Sequence, residues 1–183
     1  MPTVSLISTP GYELSSLQAS LEQLLEPMGG MGRFVKEGDR VLLKPNLLTA
    51  GKPGRECITR PEIVQCVAQL VLEAGGKPFF GDSPAFGSAR GVAKANGYLP
   101  MMEELNLPIV EFHGARYSTN NPEFTHLRLS KEAMEADVVI NLPKIKSHMR
   151  FLTPKVMVNC MWDLILGRLI TTSASIASLE SRR

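Results

Sequence analysis

The stretch DVVINLPKIKSHMR, Asp137–Arg150, decides the fold. Val138, Val139 and Ile140 are β-branched and consecutive, so the run is apolar on both of its faces. Strict alternation would mark a strand with one wet face. A short continuous apolar run marks a strand covered on both, as in a parallel sheet between layers of helices. The character then changes within one residue. Asn141, Pro143, Lys144, Lys146, Ser147, His148 and Arg150 follow. Pro143 lacks the N–H that a central ladder needs, so the strand stops there. Its carboxyl end opens into hydrogen-bond donors and positive charge.

Two other segments have the same form. The run Val41-Leu42-Leu43 ends in Lys44, Pro45 and Asn46, and Phe79-Phe80 ends in Gly81, Asp82 and Ser83. Helical patterns separate them. Leu14, Leu17, Leu21, Leu24, Leu25 and Met28 recur at gaps of three and four, and Gly29, Gly30 and Gly32 close that pattern. Ile63, Val64, Val67, Leu70 and Val71 form a second apolar stripe. Thr59 and Glu62 in front of it fit a capping box, Pro61 suits the first turn, and Gly75-Gly76 supplies the exit. Residues 3–8 and 107–113 read as strands, 88–106 as a broken helical stretch, 124–130 as an alternating strand, and 155–167 as a last helix.

Strands alternating with helices predict the α/β class: a mainly parallel sheet with helices on both faces, in Rossmann-like layers. Residues 1–168 read as a single α/β domain and 169–183 as a polar, Ser-rich tail. The length of 183 residues supports a core without disulfides. Three cysteines, Cys57, Cys66 and Cys160, are odd in number and widely spaced. That pattern predicts neither a disulfide framework nor a metal site from this chain, and it suits a reducing compartment. The N-terminus lacks the pattern of a signal peptide and no apolar run is long enough to span a bilayer, so the expectation is a cytoplasmic protein without a membrane segment. The net charge is +2, too small for a general nucleic-acid binder.

The basic character is instead local. From Val138 to Trp162 there is no Asp or Glu, while Lys144, Lys146, Arg150 and Lys155 fall in that window. In open parallel sheets, ligands bind beyond the carboxyl ends of the strands. If the three polar strand ends share one rim, Lys44, Lys144 and Lys146 would hold a small anion, and Asn46, Ser83 and Asn141 would orient it. Asp82 and His148 would be the groups placed for proton transfer. A plainer reading stands beside each part. NLPKIKSH can be a solvated exit loop, and GDSPAFGS an ordinary turn that Asp82 caps rather than a cradle of N–H groups.

The ordered set KPNLL, TRPEIV, AGGKPFFGDSP and ADVVINLPKIKSH resembles the family catalogued as domain of unknown function 362, from about residue 40 to about residue 150. The positions matched to the family pattern are Lys44, Asn46, Thr59, Pro61, Asp82, Ser83, Asn141, Lys144, Lys146 and His148. The resemblance implies an α/β arrangement with a ligand cleft, similar to the N-terminal part of the nickel-pincer lactate racemase family, and redox or racemase-like chemistry in longer relatives. Those relatives carry a ferredoxin-like 4Fe-4S segment, for which this chain has no cysteines. Asn159-Cys160 stands where the family has Lys-Asn, and the stretch after Arg168 departs from the family altogether, as in a truncated or divergent member. The expectation is therefore an anion-binding α/β domain with no cofactor of its own. The alternative is a non-catalytic remnant, or a docking subunit for an iron–sulfur or redox partner.

Overall fold

The computed structural model describes residues 4–53, 57–118, 126–144 and 168–171. The strands are β1 (Arg40–Pro45), β2 (Lys77–Asp82), β3 (Ile109–Glu111), β4 (Gly114–Ser118), β5 (His126–Ser130), β6 (Val138–Leu142) and β7 (Arg168–Thr171). The helices are α1 (Leu14–Leu25), α2 (Pro61–Glu73), α3 (Ala89–Ala95), α4 (Leu99–Glu104) and α5 (Lys131–Met134).

The main sheet has the order β3-β2-β1-β6-β7, and every neighbouring pair in it is parallel. The chain steps outward from β1 to β2 to β3, then returns to lay β6 on the other side of β1. The strand order therefore reverses between β1 and β6. Val41 pairs with Val138 and Leu43 with Ile140 across that boundary. The pairing explains why both runs are apolar throughout: Val41, Leu42, Leu43, Val138, Val139 and Ile140 are all buried. The fold is α/β, as the sequence predicts.

Helices α1 to α4 cover one face of the sheet. Leu17, Leu21 and Leu25 of α1 pack with Val64, Val67 and Val71 of α2 over Val41, Leu43, Phe80 and Ile140. Burying each such side chain contributes about 1.5–3 kcal/mol, so this layer carries most of the core. The opposite face holds a smaller cluster in which Leu42, Phe79 and Val139 meet Ala133 of α5, flanked by Val110 and Phe112. A Cβ on Gly81 would stand 2.5 Å from Phe112 Cε1, so only glycine lets that ring close over the strand.

Several local expectations differ from the structure. Residues 4–8 alternate like a strand but form none. Val4 and Leu6 are 55% and 78% exposed, so the pattern lacks the partner that would bury it. The capping box does not form either. Arg60 occupies the N-cap with no side-chain bond, and the Thr59 hydroxyl is engaged elsewhere. Pro61 does open α2, and Gly75 makes the left-handed exit at φ +83°. Strand β4 is an addition: GARYS pairs antiparallel with β5 as a hairpin apart from the main sheet. Leu169–Thr171 run as part of β7 beside β6; the rest of the polar stretch and the helix expected at 155–167 lie outside the described residues.

Candidate functional site

The carboxyl ends of β1, β2 and β6 converge, and hydrogen bonds fasten them. Lys44 Nζ lies 2.6 Å from Asp82 Oδ1, and both side chains are 4% exposed. The other oxygen of Asp82 accepts the Leu47 N–H at 2.9 Å, so one carboxylate holds both the ammonium of β1 and the backbone just past it. A buried ion pair survives only when its remaining valences are met in this way. Asn141 is the register partner of Lys44 and is also buried.

Thr59 links the strand ends from the N-terminal side of α2. Its hydroxyl donates to the Leu142 carbonyl at 2.6 Å and accepts the Asn46 N–H at 2.9 Å. Its own N–H donates to the Asn46 carbonyl. The Asn46 side-chain amide donates to the Cys57 carbonyl at 2.7 Å. From below, the Tyr98 hydroxyl donates to the Thr59 carbonyl, while its ring packs against Phe80 with centroids 5.3 Å apart. Burial first, then the negative charges of Asp82 and Glu62, push the Tyr98 phenol well above its ordinary range. Tyr98 is therefore a fixed donor.

Two loops continue outward from this floor. The Ala85 N–H donates to the Leu48 carbonyl at 2.7 Å, tying the loop after β2 to the loop after β1. Leu48 sits at φ +60°, a left-handed conformation unusual for a bulky residue. Such strain persists where surrounding bonds impose it, and it gathers at functional sites.

Of the residues singled out from sequence, Lys44, Asn46, Asp82 and Asn141 come together here as a buried floor. Ser83 follows on the exposed loop, and Lys144 lies half-buried two residues beyond Leu142. Lys146 and His148 lie outside the described residues. Thr59 was picked out by motif, and its role as the link between strands was not. Tyr98 was missed entirely, because nothing local marks a tyrosine near a helix start as a partner for a residue 39 positions away.

The model of the family described as Domain of unknown function (DUF362) matches residues 41–161, which takes in β1, α2, β2 and β6. The chain belongs to the DUF362 family. Among relatives of known sequence, the Thylakoid-associated protein sll1697 of Synechocystis sp. (strain ATCC 27184 / PCC 6803 / Kazusa) is 66% identical over 167 residues, 91% of this chain and 52% of that protein. This DUF362 chain thus spans about half the length of the curated relative it matches. No solved structure matches it.

An iron–sulfur cluster, which the family resemblance implies for longer relatives, does not fit the described residues. Their cysteines are Cys57, half-buried, and Cys66, buried on α2. Burial, followed by the nearby Glu62, pushes the Cys66 thiol up, away from the thiolate a metal needs. No group of three or more His, Cys, Asp or Glu among the described residues could hold a metal ion. No helix among them is long and apolar enough to cross a membrane.

Proposed function

We propose that this DUF362 domain binds a small anionic metabolite, a carboxylate or a phosphate, in the crevice beyond the carboxyl ends of β1, β2 and β6. One observation carries the reading: the strand order reverses between β1 and β6, and Lys44 and Asn141 are register partners at that boundary. In open α/β sheets the crevice at such a switch point is where ligands sit. Asp82 and Lys44, bonded to one another at its floor, bring an acid–base pair to the same place. Lys144 supplies charge at the edge, and Lys146 and His148 continue the same basic segment in sequence. In this reading Lys144 and Lys146 attract the anion, with Lys44 behind them bonded to Asp82; Asn141 and Ser83 orient it, with Asn46 turned to the Cys57 carbonyl; and Asp82 or His148 exchanges a proton with it, in acid–base or redox chemistry.

The second reading is a non-catalytic docking subunit for an iron–sulfur or redox partner. The relative's name speaks of association with thylakoids. In this chain we place the work in the cytoplasm, at or near a membrane surface.

A thermal melt of the purified chain against phosphates and small carboxylates tests the first reading. A midpoint raised by one class of anion, and not by chloride at equal ionic strength, supports it, because specific binding stabilises by mass action. No response to any anion, with a cooperative melt, favours the docking subunit.

A further inference from the structure

An apolar pocket of about 230 Å³ adjoins the basic end of β6. Leu17, Leu21 and Leu24 of α1, Ile63 of α2, and Leu142-Pro143 at the end of β6 form its walls. Thr9 and Ser20 bring hydroxyls to it, and Ile7 borders it with 39% of its surface exposed. Two of these walls belong to the candidate site. Leu142 is the residue whose carbonyl Thr59 holds, and Pro143 is followed directly by Lys144. The pocket is thus mostly apolar, and the first cation of the basic segment directly follows its Pro143 wall in sequence.

We infer that the ligand of the strand-end crevice is amphipathic: an anionic head group at Lys144 and a short unbranched apolar chain in the pocket behind Pro143. This rests on the anion reading above and narrows it to a substrate class. A chain group fits better than a ring, because the lining is a run of leucines along one helix, three to four residues apart, against an α2 side chain and a strand end. A methylene fills about the volume of one water molecule, about 30 Å³, so the pocket takes a chain on the order of six to eight carbons. The full two-chain tail of a membrane lipid exceeds it. A single short acyl or alkyl anion does not. A chain in the pocket would also cover part of Ile7, which borders it.

The test is calorimetric titration of the full chain with n-alkyl carboxylates from acetate to decanoate, and with matching alkyl phosphates. The expected result is a Kd that falls about fourfold per added methylene up to roughly octanoate and then levels off. Ser20→Phe, which projects a ring from α1 into the pocket, should flatten that series while leaving the response to acetate or inorganic phosphate in place. Leu24→Trp is the second variant, should the first not fold. Acetate binding without any gain from chain length overturns the pocket and leaves the anion reading intact. Equal affinity for 1-octanol and octanoate, unaffected by Lys144→Glu, overturns the anionic head group instead. Chain-length dependence that persists in both pocket variants assigns the effect to another surface and overturns the inference. Flotation with phosphatidic acid vesicles, lost in Ser20→Phe and seen without a response to free octanoate, overturns the single short chain in favour of a lipid surface.

Discussion

Lys44 and Asp82, on neighbouring parallel strands, meet at 2.6 Å with 4% of each side chain exposed, and the same carboxylate also holds the Leu47 N–H. Removing one partner takes away the ion pair that offsets the burial of the other charge. Lys44→Met or Asp82→Leu should each cost about 3–5 kcal/mol in a denaturant melt. The double variant should be less destabilised than the sum, short of full recovery, because Leu47 then keeps an unmet N–H worth about 1–3 kcal/mol. Additive losses would mean the pair is not coupled.

Thr59 satisfies two backbone groups with one hydroxyl. Thr59→Val keeps the shape and removes the oxygen, so the Leu142 carbonyl and the Asn46 N–H both lose a partner. The expected loss is about 1–3 kcal/mol for each group left unmet. Thr59→Ser, which keeps the hydroxyl, should retain most of the stability. A loss in Thr59→Ser with none in Thr59→Val would show that the methyl matters and the hydroxyl does not.

Gly81 lies under Phe112, where an added Cβ would come within 2.5 Å of the ring. Gly81→Ala should destabilise by about 1–3 kcal/mol through overpacking. Combining it with Phe112→Leu should recover part of that loss. Wild-type stability in Gly81→Ala alone would mean that the ring moves aside without cost.

Glu132 gives the hairpin a pH signature. Burial works against its charged form. The His113 backbone N–H, the His113 ring and the Ser130 hydroxyl outweigh that and hold its carboxyl down at about 2, against an ordinary value of 4.5. A carboxylate depressed by folding stabilises fully above its unfolded pKa and loses that contribution as pH falls through the folded one. The contact between the hairpin and α5 should therefore weaken from about pH 4.5 down to about pH 2. Glu132→Gln should flatten stability against pH across that interval, read from thermal midpoints. An unchanged slope would remove Glu132 from the account.

Lys144 stands at the margin of the proposed crevice. Lys144→Glu should abolish the anion-induced rise in melting midpoint, read against that variant's own ligand-free midpoint. A retained anion response would move the site away from the end of β6.

The sheet was legible because burial on both faces leaves its mark in composition. Val138-Val139-Ile140 and Val41-Leu42-Leu43 need no partner to be recognised, and Gly75 and Pro61 punctuate α2 by local geometry alone. The floor of the site was half legible. Lys44, Asp82 and Asn141 stand out as polar residues ending apolar runs. That they are buried and bonded to one another depends on strand order, which one sequence does not display. Thr59 shows the limit most sharply. Thr-x-x-Glu before an apolar stripe is a capping signature, yet the hydroxyl's partner is Leu142, 83 residues on, and a long-range acceptor overrides the local one. Strand β4 escaped notice because Gly114, Arg116 and Ser118 are exposed and only every second residue is half-buried. Residues 4–8 misled in the opposite sense, since alternation describes a strand only where another strand pairs with it.

The central position of β1 has a kinetic consequence. Its β2 edge closes through the α2 crossover, whereas its β6 edge waits for residues that lie 97 positions along the chain, as the Arg40–Asp137 contact measures. Contacts of such separation form late, after the loop-closure entropy has been met. A chain emerging from synthesis would hold β1, α2 and β2 together first, with the β6 side of its middle strand open and the Thr59 hydroxyl still without Leu142. An open edge of that kind is prone to pair with other chains. Pulse-labelled hydrogen exchange during refolding should show β1–β2 amides protected before those of β6, and simultaneous protection would refute this order. The slot that β6 fills last is also the one whose closure completes the crevice, so assembly of the central sheet and readiness to bind would be the same event.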